Sequence, residues 1–276
     1  MVVSGLLPNA LYHVRLVATN SAGTTFGPDE TFTTAKDPAP PPPVLGKTVN
    51  AAPVSGLVFI KLPGGHASED SGDELDALTK GQGFIPLTEA RQLPSGTQVD
   101  ARRGTLNVTT APSTRHGKLQ TATLAGAIFA VTQSRTGLTK GLTTFALLEG
   151  DFPGAPTYAS CPHADADQPP IAQASKASPK VLQSLHASDN HGDFSTKGRY
   201  SSATVRGTEW TTSDLCDGTL TTVQRGTVKI FDDGTRKTIT LHAHQSYLAK
   251  AFTAKTKAHL GPFEEGLLPS DVDREE

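Results

Sequence analysis

Two cysteines, Cys161 and Cys216, are the residues of this chain with the most distinctive chemistry. In a reducing compartment such a distant pair stays as thiols, whereas in a secreted β-protein it pairs. The composition around them favours a disulfide. Closing a loop of about 55 residues contributes roughly 4 kcal/mol in the chain-entropy account. A metal site built from Cys161, His163 and Cys216 is the alternative, and it lacks an evident fourth ligand. His242 and His244 stand two apart in a strand-like run, which places both on one face, as in some metal sites. A third ligand is not identifiable, and His-x-His on the solvent face of an edge strand is the commoner arrangement. The acidic stretch His66 to Gly83, with Glu69, Asp70, Asp73, Glu74 and Asp76, does not have the alternating ligands and central glycine of a calcium loop, and reads as a solvated excursion. Asp214 and Asp217 flank Cys216 and read as turn formers, while Arg206 and Glu209 are candidates for a surface pair.

No nucleophile elbow, metalloprotease helix or phosphate loop occurs. No cofactor is indicated, and the chain reads as non-enzymatic. A net charge of −2 over 276 residues carries no basic footprint for nucleic acid. Arg102-Arg103 is the tightest basic cluster and reads as a solvated strand edge. No apolar run is long enough to cross a bilayer as a helix. Met1 enters a domain-like pattern without a charged and then apolar leader. The reading adopted is a secreted chain lacking its upstream sequence, with cytoplasmic residence as the competing explanation.

The elements that position these residues are extended throughout. From Ala203 to Lys250, β-branched and aromatic residues alternate with polar ones, and turn dipeptides interrupt the runs. Asp217-Gly218 and Asp233-Gly234 supply positive-φ turn positions, and Arg225-Gly226 is a third turn. Val228 and Ile230 share one face, as do Ile239, Leu241 and Ala243. Trp210, the single tryptophan, is the expected core anchor. Upstream, two strands are expected between Leu45 and Gly65, broken near Pro53 and Ser55-Gly56. Further strands are expected at 97–101 and 105–109, separated by Gly104, and at 118–123, 127–132 and 143–148. A Pro- and Ser-rich loop runs from about Glu149 to Lys180. A hairpin across Asp189 to Gly192 then joins 181–187 to 194–200. Lys36 to Pro43 reads as a polyproline spacer, and residues 252–276 as a disordered acidic tail.

Two frames of the form apolar-x-Gly-x-x-aromatic recur, Leu124 to Phe129 and Val205 to Trp210. Each precedes a Thr-rich strand. A duplication would pair two halves of one sandwich or a stacked β-solenoid; coincidence is the alternative.

Two resemblances give these segments names. Gly5-Leu6-Leu7-Pro8-Asn9-Ala10-Leu11-Tyr12, then HVRLVATNSAG and TFGPDETFTT, resemble the second half of a fibronectin type III domain. Leu6, Pro8 and Tyr12 stand where that family has its tyrosine corner. The first four strands of such a sandwich are missing. Residues 1–35 are therefore expected as a truncated module that exposes the apolar face of Tyr12, Val14 and Leu16. The order Gly96-Thr97-Gln98-Val99, Val205-Arg206-Gly207-Thr208 and Gly226-Thr227-Val228-Lys229-Ile230 is similar to that of a FecR-like β-domain over about 55–251. The resemblances imply an all-β protein: a partial fibronectin sandwich, then over 44–251 a larger FecR-like sandwich or short solenoid. They also imply an extracellular or cell-surface setting in a bacterium. The expected role is a binding or structural module for an extracellular protein or polysaccharide. The alternatives are an accessory region of a larger secreted enzyme and a FecR-type regulator without its membrane helix.

Overall fold

The computed structural model describes residues 6, 10–35, 39–63, 84–114, 117–149, 152–161 and 180–251. These are almost entirely strands and the turns between them, and they divide into two compact units at Pro40/Pro41. The acidic stretch 66–83, the tail 252–276, Pro8 and His163 lie outside the described residues.

The first unit consists of two antiparallel strand pairs in series, a narrow two-stranded ribbon. β1 (Leu11–Val14) pairs with β4 (Glu30–Thr33), and β2 (Val17–Asn20) pairs with β3 (Gly23–Phe26) around the expected Asn20 to Gly23 turn. The register slips by one residue between the two pairs, at the Gly27 N–H to Leu16 carbonyl bond of 2.8 Å. Tyr12 is half-buried and stacks on Phe32, while Val14 and Leu16 are exposed. A two-stranded ribbon has no second layer to cover its apolar side chains, so that exposure follows from its size.

The second unit is a nearly closed sheet built from fifteen strands: β5 (Thr48–Lys61), β6 (Ile85–Pro86), β7 (Arg91–Pro94), β8 (Thr97–Thr110), β9 (Gln120–Ala125), β10 (Ile128–Gln133), β11 (Thr143–Leu147), β12 (Val181–Asp189), β13 (Phe194–Lys197), β14 (Ser201–Val205), β15 (Glu209–Leu215), β16 (Gly218–Arg225), β17 (Thr227–Asp232), β18 (Lys237–His242) and β19 (Ser246–Lys250). The path runs β18-β17-β14-β13-β11-β10-β8-β9-β12-β15-β16-β19, with β5 on the other edge of β8 and carrying β6 and β7. β11 and β13 run parallel, and the remaining ladders are antiparallel. The two ends of the path meet. Tyr247 on β19 donates to the Asp232 carboxylate on β17 at 2.6 Å, and that bond lifts the phenol above its ordinary pKa.

Alternation along each strand fills the interior with Val, Leu, Ile and Ala around Phe129, Phe145, Phe194 and Trp210. Trp210 is 1% exposed, and its indole N–H donates across the core to Thr196 Oγ1 at 3.0 Å. Thr196 and Thr212 share a further hydrogen bond of 2.6 Å. β13 and β15 are not neighbours in the path, so these bonds lock opposite walls together.

Several expected boundaries differ. The segments expected as pairs of strands are two continuous strands of 14 residues, β5 and β8. The breaker residues are absorbed as bulges between Pro53 and Ser55 and between Leu57 and Phe59. Gly56 lies opposite Gly104, where a Cβ on Gly104 would stand 2.7 Å from the Leu57 carbonyl oxygen. Only a residue without a side chain permits that approach.

The expected hairpin across Asp189 to Gly192 does not form. β12 pairs with β9 and β15, whereas β13 pairs with β11 and β14. The buried Asp189 carboxylate explains the departure. It accepts from the backbone N–H groups of Gly192 at 2.9 Å, Gly207 at 2.8 Å and Thr208 at 2.7 Å, and so turns the chain from one wall into the other.

The Val205 to Thr208 frame is thus the partner of a buried carboxylate. Val205 and Thr208 are buried, and Gly207 takes φ +64°. Arg206 reaches Asp193 at 3.7 Å, and Glu209 reaches Arg225 at 4.0 Å, so the expected Arg206–Glu209 pair is replaced by these two. The matching frame at Leu124 to Phe129 is also a corner, with Gly126 at φ +92° and Phe129 buried. In the Asp233 to Arg236 turn the positive φ falls on Arg236 rather than Gly234, because Asp232 Oδ1 binds the Gly234 and Thr235 amides. The prolines nearest the second unit are not a free spacer. Pro43 is buried, and the Pro41 carbonyl accepts from Asn50 and Gln92.

Replacing Asp189 by Ala leaves three inward-facing amides without an acceptor. Urea unfolding should show a loss of about 2–4 kcal/mol, against less than about 0.5 kcal/mol for Arg206→Ala in its exposed pair. Equal losses for the two variants would contradict this assignment.

Candidate functional site

The cleft with the best-defined chemistry lies where β8 changes partner. Residues 97–100 pair with β10 and residues 105–110 pair with β9. Between them the Gly126 corner docks on Ala101, through the Ala101 N–H to Ala127 carbonyl and Gly126 N–H to Ala101 carbonyl bonds, both 2.9 Å. Opposite β5 the register runs from Phe59/Asp100 to Leu57/Arg103, so β8 carries one extra residue. A bulge of this kind breaks the strict alternation of faces. Asp100, Arg102 and Arg103 all line the same cleft as a result.

Its other walls are Leu57, Phe59, Phe84, Phe152 and Pro153, and its volume is about 250 Å³. Phe84 and Phe152 meet at 4.4 Å between centroids, and the Lys61 ammonium lies 5.6 Å from the Phe84 ring.

Arg102 builds one side of this cleft. Its Nε donates to Asp100 Oδ1 at 2.9 Å, and Nη2 donates to Asp100 Oδ2 at 2.7 Å. Nη2 also donates to the Pro153 carbonyl at 2.9 Å, and Nη1 to the Gly154 carbonyl at 2.5 Å. The hydrogen bond to Asp100 raises the guanidinium pKa further and holds it charged. The expectation of a solvated edge at Arg102-Arg103 is therefore wrong for Arg102, which clamps a strap of chain (152–161) onto the sheet. Arg103 is exposed and makes no ion pair among the described residues.

The strap is held at its far end as well. Cys161 and Cys216 are disulfide-bonded, with Cα atoms 5.4 Å apart, which excludes them as metal ligands. Just before Cys161, a short 3₁₀ turn at Tyr158–Ser160 is capped by Thr157. The Tyr158 amide donates to Glu149 at 2.7 Å, and Glu149 pairs with Arg199 at 3.2 Å. The Arg199 guanidinium stacks 4.1 Å from the Tyr158 ring centre and also approaches Tyr200. Beneath them Asp214, 3% exposed, accepts from the Arg199 amide at 3.0 Å and from Thr219 Oγ1 at 2.6 Å. Burial raises the Asp214 pKa above the usual carboxylate value, with those hydrogen bonds opposing the shift. Tyr158 is raised too, first by burial and then by Asp214; its hydroxyl lies near that carboxylate but outside hydrogen-bond geometry. Asp214 is thus a buried anchor, more than the turn former expected from sequence.

The histidine pair is dispersed. β18 ends at His242, while Ala243 and His244 belong to the following turn, His244 at φ +68°. The two imidazoles therefore do not share a strand face. Among the described residues no group of three or more His, Cys, Asp or Glu could hold a metal ion. Among the same residues no helix is long and apolar enough to cross a membrane.

Sequence reasoning missed Phe84, Phe152 and the clamping role of Arg102. The available signal was an Arg-Arg-Gly run inside an otherwise alternating strand, which is how a bulge reads. The chain matches no protein-family model, no curated protein and no solved structure.

Because the folded state binds the Asp214 proton more tightly than the unfolded chain does, this residue makes stability fall as pH rises from the ordinary carboxylate range through its raised pKa. Denaturant unfolding of Asp214→Asn at several pH values should show the variant gaining on the wild type as pH rises across that window. A difference that is flat, or of opposite sign, would contradict the assignment.

Proposed function

We propose that the protein is a non-catalytic extracellular or cell-surface binding module. Its partner in this reading is an extracellular protein or polysaccharide, received in the cleft beside β5 and β8. The observation that carries the reading is the cleft itself. Aromatic and aliphatic walls stand beside a satisfied Asp100–Arg102 pair, with Arg103, which makes no ion pair among the described residues, exposed in the same cleft. A rigid apolar pocket with few convergent polar groups is how protein binding sites are commonly built.

Other features point the same way. The disulfide suits an oxidising compartment. The buried carboxylates Asp100, Asp189, Asp214 and Asp232 accept structural hydrogen bonds from Arg102, backbone amides, Thr219 and Tyr247. They serve as fasteners rather than as acids or bases facing a substrate. The FecR-like reading of the second unit and the fibronectin-derived reading of the first are part of this proposal, and the all-β architecture is compatible with both.

The test is a panel of purified polysaccharides, peptidoglycan and matrix proteins, measured against the wild type and Leu57→Asp. Leu57 is 56% exposed, so the variant should fold. At least one member of the panel should bind the wild type, and the variant should bind it about tenfold more weakly. No binding, or binding indifferent to Leu57, would contradict the reading.

A further inference from the structure

We infer that the group received by the cleft is a protein segment in which an apolar side chain, aromatic or branched, is followed directly by a carboxylate. The inference rests on the reading of the cleft as the binding site and adds the class of ligand.

Size is the first argument. A volume of about 250 Å³ accommodates one large side chain and part of its backbone; sites that enclose whole drug-sized ligands run from about 300 to 1,000 Å³. The second argument is hydrogen-bonding capacity. Asp100 and Arg102 satisfy each other, and two further Arg102 N–H groups go to the Pro153 and Gly154 carbonyls, so four of its five donors are taken. A hydroxyl-rich sugar entering between Leu57, Phe59, Phe84 and Phe152 would lose water contacts and find few replacements, which opposes binding. An apolar side chain loses none.

Charge supplies the third argument. Asp100 is neutralised by Arg102, while the exposed Arg103 lines the same cleft and makes no ion pair among the described residues. Arg103 stands opposite Leu57 in the β5–β8 register, so an apolar wall and a guanidinium are adjacent. The guanidinium fork takes a carboxylate in a bidentate manner, which an amide at the same place cannot match.

The probes are the peptides acetyl-Gly-Phe-Asp-Gly-amide and acetyl-Gly-Phe-Asn-Gly-amide, with cellohexaose as the carbohydrate arm. Each is titrated into the full chain by calorimetry and by NMR shift mapping. The Asp peptide should bind at the cleft, and both the Asn replacement and Arg103→Gln should weaken it about five- to tenfold. Arg103→Lys should recover part of that loss, and added salt should reproduce it. Equal affinity for the two peptides, unchanged in Arg103→Gln, would overturn the inference. Cellohexaose binding that depends on Leu57 while neither peptide binds would also overturn it, and would leave the binding-module reading standing. If no peptide, no oligosaccharide and no member of the wider panel binds in a Leu57-dependent way, both readings fall.

Discussion

The second unit depends on a single strand having to serve two walls of a nearly closed sheet. β8 gives its first four residues to β10 and its last six to β9, and β5 runs along its other edge throughout. A flat strand cannot do this. The extra residue between Asp100 and Arg103 supplies the local twist and leaves Ala101 free to receive the Gly126 corner. The same irregularity turns two successive arginines toward one cleft. Fold and candidate site are therefore two consequences of one bulge.

What the bulge begins, polar fasteners complete. Arg102 grips the strap by two carbonyls, the disulfide holds its other end, and Asp214 sits below it with Arg199 and Thr219. Elsewhere Asp189 gathers three backbone amides, and Asp232 closes the ends of the sheet through Tyr247. Each of these carboxylates is buried beside donors. Such groups specify one arrangement strongly, because any alternative leaves a charge or an amide unsatisfied. Aliphatic packing gives the sheet its bulk stability, while the fasteners decide which strand lies beside which.

Much of the architecture was legible because alternation and turn chemistry are local. Val228, Ile230 and Trp210 are buried as their pattern implied, and Cys161 pairs with Cys216. The errors arose where a long-range partner overrides a local signal. Gly56 and Gly104 read as strand ends, yet they are a close backbone approach inside two long strands. Asp189 to Gly192 reads as a hairpin turn until Gly207 and Thr208, distant in sequence, claim the carboxylate. His242 and His244 share a face only if the strand continues past His242, and it does not. The cleft was the least legible feature. Its walls come from four separate segments, and neither Phe84 nor Phe152 carries any local mark of the other.

The central claim is that the Arg102 clamp, presented by the bulge, holds the strap in place and so makes the wall of the cleft. Hydrogen–deuterium exchange on Arg102→Gln addresses it most directly. Amides of residues 155–161 should exchange at least about tenfold faster than in the wild type, while those of β12, β15 and β16 keep their protection. Strap amides that exchange at the wild-type rate, or protection lost evenly across the whole sheet, would contradict the account.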